Sequence, residues 1–257
     1  MTRVPLTLDG LQEAAGPHWQ VQLHPAAGST NALAASAPER GLVVVADHQT
    51  AGRGRLGREW VTPAGAALTF SAVVDPGLDD EWWPLVPLVA GYAVARAVGG
   101  SLKWPNDVVV ADPAGGGPPG KVCGILVERV VSADGRALAV IGVGINVDQT
   151  AEELPVPEAM SLALAARDAD RTQLFGHVLH ALRQSLAALA DGPAAYVGHL
   201  RRRCTTLGRD VRADLPDGSV LEGRAVDLDD HGRLLVETQD GTVPVAAGDV
   251  IHVRPAR

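Results

Sequence analysis

Residues 42–60 decide the fold, and they read Leu42-Val43-Val44-Val45-Ala46-Asp47-His48-Gln49-Thr50-Ala51-Gly52-Arg53-Gly54-Arg55-Leu56-Gly57-Arg58-Glu59-Trp60. The first five residues are apolar and mostly β-branched, which is typical of a strand buried on both faces of a sheet. A glycine loop with three arginines follows this strand. The stretch therefore predicts a buried strand that leads directly into a basic, glycine-rich loop.

The glycines of this loop match the spacing G-x-G-x-x-G of dinucleotide-binding proteins. That fingerprint requires a helix that opens at its last glycines, where pyrophosphate would bind. Residues 58–63 have no helical apolar period and reach Pro63 quickly. The loop is therefore not predicted to be a Rossmann site.

A second phosphate motif fails in a similar way. Residues 115–121 fit the start of a P-loop, but Val122 stands where a Ser or Thr should reach magnesium. Pro118 and Pro119 also remove two of the backbone N–H groups on which a phosphate cradle depends. This Gly/Pro-rich connection over residues 112–120 is predicted only to join two strands, and its role stays open.

Hydrophobic periodicity and capping signals predict the remaining elements. Helices are predicted over residues 8–15, from Ser29-Thr30-Asn31 onward, from Asp79-Asp80 through Val94, over 171–189 and over 194–203. Strands are predicted over residues 19–23, 67–73, 108–111, 122–131 and 139–147, with a long hairpin between 108 and 131.

The pattern changes after Cys204. Residues 208–253 contain short alternating strands separated by turn sequences, which is typical of a small all-β barrel. The turn sequences are Pro216-Asp217-Gly218, Asp230-His231-Gly232 and Asp240-Gly241. We therefore expect two domains, residues 1–204 and residues 205–257.

Composition and charge argue against several classes of protein. The formal net charge is -8, so a nucleic-acid role would need a strong local basic patch. Cys123 and Cys204 are not in a paired ligand spacing, so we expect two reduced, structural thiols. There is no secretory signal and no run of about 20 apolar residues, so no membrane segment and a cytoplasmic location are expected.

The arginine loop carries the strongest chemical signal. A reaction that brings two anions together needs cations to offset their repulsion. Arg53, Arg55 and Arg58 supply three guanidiniums, each able to hold a carboxylate or phosphate by two hydrogen bonds. The loop alone would fit a solvated basic turn equally well.

Two further segments add candidate ligand groups. Lys121 begins an apolar strand and could project beside a ligand, although a lysine at a strand end is commonly a surface charge. Asn106 and Asp107 offer the oxygen atoms that Mg²⁺ prefers, although Pro-Asn-Asp is by itself more often a turn.

The ordered set of motifs is specific as a whole and closely resembles the biotin protein ligase family. The set comprises Gly28-Ser29-Thr30-Asn31, residues 49–60, Lys103-Trp104-Pro105-Asn106-Asp107, Lys121-x-x-Gly124-Ile125-Leu126-Val127-Glu128, Gly142-Val143-Gly144-Ile145-Asn146, and the terminal Gly208-Arg209-Asp210-Val211 and Gly248-Asp249-Val250. The resemblance covers essentially the whole chain from residue 28.

The resemblance implies an α+β fold: a mixed sheet flanked by helices, as in class II aminoacyl-tRNA synthetases, with a C-terminal SH3-like β-barrel. It implies Lys121, Arg53, Arg55 and Arg58 as catalytic residues and Asp107 as a Mg²⁺ ligand. The implied biotin-binding residues are Ser29, Thr30, Asn31, Gln49, Gly52, Arg53, Gly54, Arg55, Trp60, Lys121 and Gly124. The implied ATP-binding residues are Arg53, Arg55, Arg58, Asn106, Asp107, Lys121 and Asn146.

The resemblance also implies a reaction in two steps, of the biotin-[biotin carboxyl carrier protein] ligase class. Biotin would be activated to biotinyl-5'-AMP and then transferred to a lysine of the carrier domain of an acyl-CoA carboxylase. The substrates would be biotin and ATP with Mg²⁺, without a permanently bound cofactor. We expect a monomer or weak homodimer.

Bifunctional family members carry a DNA-binding domain ahead of the ligase. Only 27 residues precede Gly28 here, so we expect no DNA binding and no direct repression. Two alternatives stay open at this point: a lipoate or octanoate protein ligase or transferase, and a nucleic-acid-binding module built on the arginine loop and the barrel.

Overall fold

The computed structural model describes residues 3–115, 117–215, 218–246 and 249–252. The helices are α1 (Leu8–Ala15), α2 (Thr30–Ser36), α3 (Val86–Ala97), α4 (Arg171–Asp191) and α5 (Pro193–Arg203). The strands are β1 (Gln20–His24), β2 (Leu42–Ala46), β3 (Gly52–Arg53), β4 (Glu59–Trp60), β5 (Ala67–Val74), β6 (Ser101–Lys103), β7 (Asp107–Val110), β8 (Gly120–Val131), β9 (Ala137–Asn146), β10 (Asp210–Asp214), β11 (Val220–Leu228), β12 (Leu234–Thr238), β13 (Gly241–Val245) and β14 (Asp249–His252).

A seven-stranded sheet with the order β1-β2-β5-β9-β8-β7-β6 forms the main part of the molecule. The β1–β2 pair is parallel and the other neighbours are antiparallel, so the sheet is mixed. All residues of β2 and β5 are buried, as their apolar runs predict. The prediction of a mixed sheet flanked by helices is confirmed.

Helices cover both faces of this sheet. α3 and α4 pack together on one face within the large apolar core, and α1 packs on α4. On the other face, Ala34 of α2 packs in a smaller cluster with Leu42, Val44 and Val140 of the sheet. The sheet is therefore the middle layer, which fixes the positions of side chains at the strand ends.

Local signals explain where most helices begin. The Ser29 hydroxyl accepts a hydrogen bond from the backbone of Ala32 and caps α2, as its sequence predicts. The prediction that a helix starts at Asp79-Asp80 was wrong: residues 80–85 form a 3₁₀ turn, and α3 begins at Val86. Pro84 interrupts the first segment because it has no N–H, whereas a proline is tolerated in the first turn of α3.

The second sheet has five antiparallel strands with the order β13-β12-β11-β10-β14. Among the described residues β13 and β14 are its two edges, so its pairing does not form a closed ring. This sheet is consistent with the expected SH3-like domain. The predicted turn residues Pro216 and Asp217, Gly248 of the closing motif, Gly116 of the 112–120 connection and Val253 lie outside the described residues.

Trp104 joins the two sheets. Its indole Nε1 donates to the backbone oxygen of Gly232 at 2.9 Å, and its backbone nitrogen donates to the Thr206 hydroxyl at 3.0 Å. A methyl group at position 232 would come 2.7 Å from Leu85, so the turn that contains Gly232 lies close against the core. The C-terminal sheet is thereby held next to the predicted site.

None of the helices over the described ranges is long and apolar enough to cross a membrane.

Candidate functional site

Two adjoining cavities lie beside residues 52–60, which we call the arginine loop. The smaller, of about 250 Å³, lies between the loop, α2, β8 and β9. The larger, of about 730 Å³, lies between the loop, the first turn of α3 and the C-terminal sheet. Residues common to both walls are Arg53, Gly54, Arg55, Arg58, Glu59, Asn106, Ile125 and Leu126. The arginine loop therefore lies at the border of the two cavities, where a ligand in one would meet a ligand in the other.

The structure brings the predicted site residues to this region. The smaller cavity is lined by Ser29, Thr30, Asn31, Gln49, Arg53, Gly54, Arg55, Trp60, Lys121, Gly124 and also Asn146, and the larger by Gly52, Arg53, Arg55, Arg58 and Asn106. Asp107 lines neither cavity and instead contacts Lys121. The assignment of individual residues to biotin or to ATP stays a prediction.

One wall of the smaller cavity is polar and buried. The Gln49 side-chain oxygen accepts hydrogen bonds from the backbone nitrogen of Thr30 at 2.8 Å and from its hydroxyl at 3.2 Å. The Ser71 hydroxyl lies 2.8 Å from the Thr30 hydroxyl and 2.5 Å from the Asn31 side-chain oxygen. Because these groups satisfy one another, and Thr30, Asn31 and Ser71 are buried, they hold fixed positions before a ligand arrives.

The floor of the smaller cavity is made of glycine backbone. Gly124 of β8 and Gly144 of β9 are direct partners across the sheet. A methyl group at Gly144 would come 2.5 Å from the Trp60 indole, and one at Gly124 would come 3.1 Å from it. The two glycines thus allow the Trp60 indole to lie directly on the strands.

Trp60 closes this floor from the loop side. Its Nε1 is among the buried side-chain atoms of the described residues that have no hydrogen-bond partner. A buried donor without a partner is costly, and a ligand that accepts a hydrogen bond would relieve that cost. Trp60 therefore combines an apolar face with one unused donor beside the cavity.

A short hairpin shapes the arginine loop. Gly52 pairs with Trp60 and Arg53 with Glu59, and residues 55–57 form a tight turn between the two strands. Leu56 has a φ of 56°, an uncommon left-handed conformation for a non-glycine residue, and it is 67% exposed. Arg55 donates from its guanidinium to the Asn106 side-chain oxygen at 3.0 Å. The loop is therefore tied to the 104–107 segment, with an exposed leucine at its tip.

Lys121 has a charged partner in the site. Its Nζ lies 2.7 Å from the Asp107 carboxylate and 5.8 Å from the centre of a Trp60 ring. The two side chains are 31% and 16% exposed, so the pair is partly shielded from water. Lys121 is one of only two lysines in the sequence, the other being Lys103. An anion in the smaller cavity would find this amine held in place by Asp107.

The neighbouring cysteine is not equipped for nucleophilic chemistry. Cys123 is fully buried, and this burial raises the pKa of its thiol far above the ordinary value. A thiol that stays protonated is a poor nucleophile. The interpretation of Cys123 as a core residue agrees with this environment.

The described residues contain no group of three or more His, Cys, Asp or Glu side chains that could hold a metal ion. The Asn106 side-chain oxygen accepts from Arg55, and one Asp107 oxygen contacts Lys121. Mg²⁺ usually binds through one or two carboxylates together with substrate phosphates. Of the two residues predicted for Mg-ATP, only Asp107 supplies a carboxylate, and its assignment as a Mg²⁺ ligand stays a prediction.

Sequence reasoning gave no role to Ser71, Glu128 or the spacing of Gly142 and Gly144. Ser71 is a fully buried polar residue inside an apolar strand, a signal that could have marked it. Alternating glycines in the strand β9 could likewise have indicated a close approach. A methyl group at Gly142 would come 2.2 Å from the Asn31 side chain.

Sequence reasoning also gave no site role to the turn between β11 and β12. His231, Gly232 and Arg233 of this turn line the larger cavity.

Two family models match the chain. The model described as the biotin/lipoate A/B protein ligase family covers residues 25–146. The model described as the biotin protein ligase C terminal domain covers residues 206–253.

Relatives and solved structures agree with these matches. The biotin--[acetyl-CoA-carboxylase] ligase of Mycobacterium tuberculosis is 36% identical over 98% of this chain and 97% of that protein. The bifunctional ligase/repressor BirA of Bacillus subtilis is 31% identical over 84% of this chain and 67% of that protein. The biotin protein ligase from Aquifex aeolicus, solved with biotin and ATP, has a TM-score of 0.75 at 28% identity, covering 91% of this chain and 98% of that one.

Proposed function

The chain belongs to the biotin protein ligase family, and we propose that it activates biotin with ATP and transfers it to a lysine of a biotin carboxyl carrier domain. The observation that carries this proposal is the shared wall of the two cavities. Three arginines lie where a ligand in the smaller cavity would meet a ligand in the larger one.

Biotin suits the smaller cavity. Its bicyclic ring system needs an apolar surface, which Trp60, packed on the glycine floor, provides. Its ureido group needs fixed hydrogen-bond partners, which the Thr30–Gln49–Ser71 network supplies. Its carboxylate would then point towards Lys121 and the arginine loop.

In the first step, a biotin carboxylate oxygen attacks the α-phosphorus of ATP. The bond from that phosphorus to the bridging oxygen breaks, pyrophosphate leaves, and biotinyl-5'-AMP forms. Arg53, Arg55, Arg58 and Lys121 would offset the negative charge that accumulates as the two anions join. Mg²⁺ would enter on the triphosphate, with Asp107 as its candidate protein ligand.

In the second step, the neutral ε-amine of the acceptor lysine attacks the acyl carbon of the adenylate. An amide bond forms, AMP leaves, and the amine loses a proton. The arginine loop would cover the adenylate and limit its reaction with water until the acceptor arrives.

The acceptor is proposed to be the carrier domain of an acetyl-CoA or other acyl-CoA carboxylase, following the name of the Mycobacterium relative. A net charge of -8 supports a protein partner over DNA. A monomer or weak homodimer is proposed as the working form. The similarity to biotin ligases favours biotin over lipoate or octanoate as the acid.

ATP–pyrophosphate exchange by the purified protein tests this proposal. Biotin, lipoate and octanoate are added in separate reactions with Mg²⁺ and labelled pyrophosphate. Exchange that depends on biotin alone is expected. Exchange with lipoate or octanoate instead would show that the protein is a lipoate or octanoate ligase. No exchange with any of the three acids would refute adenylation.

A further inference from the structure

Glu128 lies at the end of a quoted motif but has no role in the mechanism above. It lies on β8, is 33% exposed and lines the larger cavity. One of its carboxylate oxygens accepts a hydrogen bond from the Asn31 side chain at 2.7 Å. The same oxygen lies 3.3 Å from the Arg53 guanidinium. A single atom therefore connects the start of α2 with the first arginine of the loop.

The two partners of Glu128 differ in freedom. Asn31 is 3% exposed, and its side chain also contacts the Ser71 hydroxyl and the Leu126 backbone oxygen. Arg53 is 48% exposed and belongs to a two-residue strand in a loop. The Asn31 contact is therefore fixed by its surroundings, whereas the Arg53 contact can be exchanged.

The same guanidinium lies where the proposed substrates would meet, because Arg53 lines both cavities. An exposed pair between single side chains is weak, whereas a guanidinium can form two charge-assisted hydrogen bonds with a phosphate. Substrate anions would therefore compete successfully with Glu128 for Arg53.

We propose that Glu128 is a positioning residue that holds Arg53 at the border of the two cavities in the free enzyme and releases it to the substrate anions. This inference rests on the proposed function for the identity of those anions. The state of the free enzyme does not depend on it. In that state, loss of the Glu128 charge frees the first arginine and loosens the whole loop.

A merely structural role would give a different pattern. Glu128 would then only support Asn31, and its loss would lower stability or disturb the polar wall without a specific effect on the loop. The variant Glu128→Gln separates these cases. Its amide oxygen can still accept from Asn31, but it no longer carries the charge that holds Arg53.

Limited trypsin digestion of the full chain, followed by mass spectrometry, reads the loop directly. Trypsin cleaves after Arg53, Arg55 and Arg58, and the free Glu128→Gln protein should be cut in the loop at least threefold faster than wild type. Saturating biotin, ATP and Mg²⁺ should protect both proteins equally. Asp80→Asn is the matched control. It removes the charge that pairs at 2.7 Å with Arg129, the neighbour of Glu128 on β8, and it should leave loop cleavage unchanged.

Loop cleavage of free Glu128→Gln at the wild-type rate would overturn the inference. So would acceleration matched by new cuts throughout the chain, since that reports global unfolding. Cleavage of the ligand-free proteins tests Glu128 alone. Failure of biotin and ATP to protect the wild-type loop would instead count against the proposed substrates, so the two failures are distinguishable.

Discussion

The indole of Trp60 lies directly on the backbone of Gly144, so that even a methyl group at position 144 would come 2.5 Å from the ring. Gly144→Ala should therefore displace Trp60 and raise the Kd for biotin at least tenfold, because the ring cannot close on the floor. Isothermal titration calorimetry measures this change. Gly198→Ala is the control: it lies in α5, where a methyl group meets nothing closer than 3.7 Å, and it should bind biotin normally. Normal binding by Gly144→Ala would refute the role of the floor.

Removal of the Lys121 amine should lower kcat for ATP–pyrophosphate exchange by about 10²–10³-fold, the usual effect of losing one stabilising donor. Lys121→Ala should remain folded, since its side chain is 31% exposed. Full turnover by this variant would remove Lys121 from the reaction.

Asp107→Asn separates the two roles open to that carboxylate. If Asp107 only holds Lys121, the variant should lose less activity than Lys121→Ala and keep a normal Mg²⁺ requirement. If Asp107 also binds the metal, the Mg²⁺ concentration for half-maximal exchange should rise severalfold. A Mg²⁺ titration of the exchange rate decides between them.

Arg53→Ala should raise KM for ATP and lower kcat/KM by about 10²-fold, or roughly 2.7 kcal/mol of transition-state stabilisation. The arginine lies at the wall shared by both cavities, so biotin and ATP kinetics should both be measured. Arg136→Ala removes an arginine that is 64% exposed in a turn, and it should behave as wild type. Equal kinetics for the two variants would contradict the proposed position of the substrate anions.

Trp104→Phe should destabilise the protein by about 1–3 kcal/mol, because the buried Gly232 carbonyl loses its donor. Trp82→Phe is the comparison, since it keeps an aromatic ring against His231 and should cost less. Urea unfolding gives both values. If Trp104→Phe lowers the free energy of unfolding by less than Trp82→Phe does, the hydrogen bond between the sheets contributes little.

Alkaline pH should lower stability through the buried thiols. Burial raises the pKa of Cys123 and of Cys204, while an unfolded thiol ionises near pH 9.0. The folded state therefore binds more protons above that pH, and its stability is full below pH 9 and falls as pH rises. Cys123 should contribute a slope that approaches about 1.4 kcal/mol per pH unit above pH 9, and Cys204 should act in the same direction.

Urea unfolding with a reductant at about pH 8, 9 and 10 measures that slope. Cys123→Ala should make the slope shallower, whatever it does to stability at pH 8. An unchanged slope would show that Cys123 ionises normally in the fold.

Local patterns predicted much of this fold. The strand over residues 42–46 and the helix that opens at Ser29-Thr30-Asn31 were confirmed because each depends on neighbours in sequence. The start of α3 was missed because Pro84 interrupts the segment that the acidic start signal opens. The strand β6 has only three residues, too few for any period to be visible.

The site was predicted as a set of residues but not as an arrangement. The Gly124–Gly144 floor depends on the register between β8 and β9, and Trp60 reaches it from another hairpin. The hydrogen bond from Trp104 to Gly232 spans 128 positions in the chain. Such contacts follow from tertiary packing, which no local spacing encodes.

The scarcity of lysine limits how many side chains of this protein an acylating reagent can modify. An acyl adenylate modifies amines, and this chain offers it only Lys121 and Lys103 as side-chain targets. With 20 of its 22 basic residues present as arginine, which adenylates do not readily acylate, the protein exposes few side chains to its own proposed intermediate. Amine-directed labels will for the same reason report on two side chains, Lys103 and the lysine paired with Asp107.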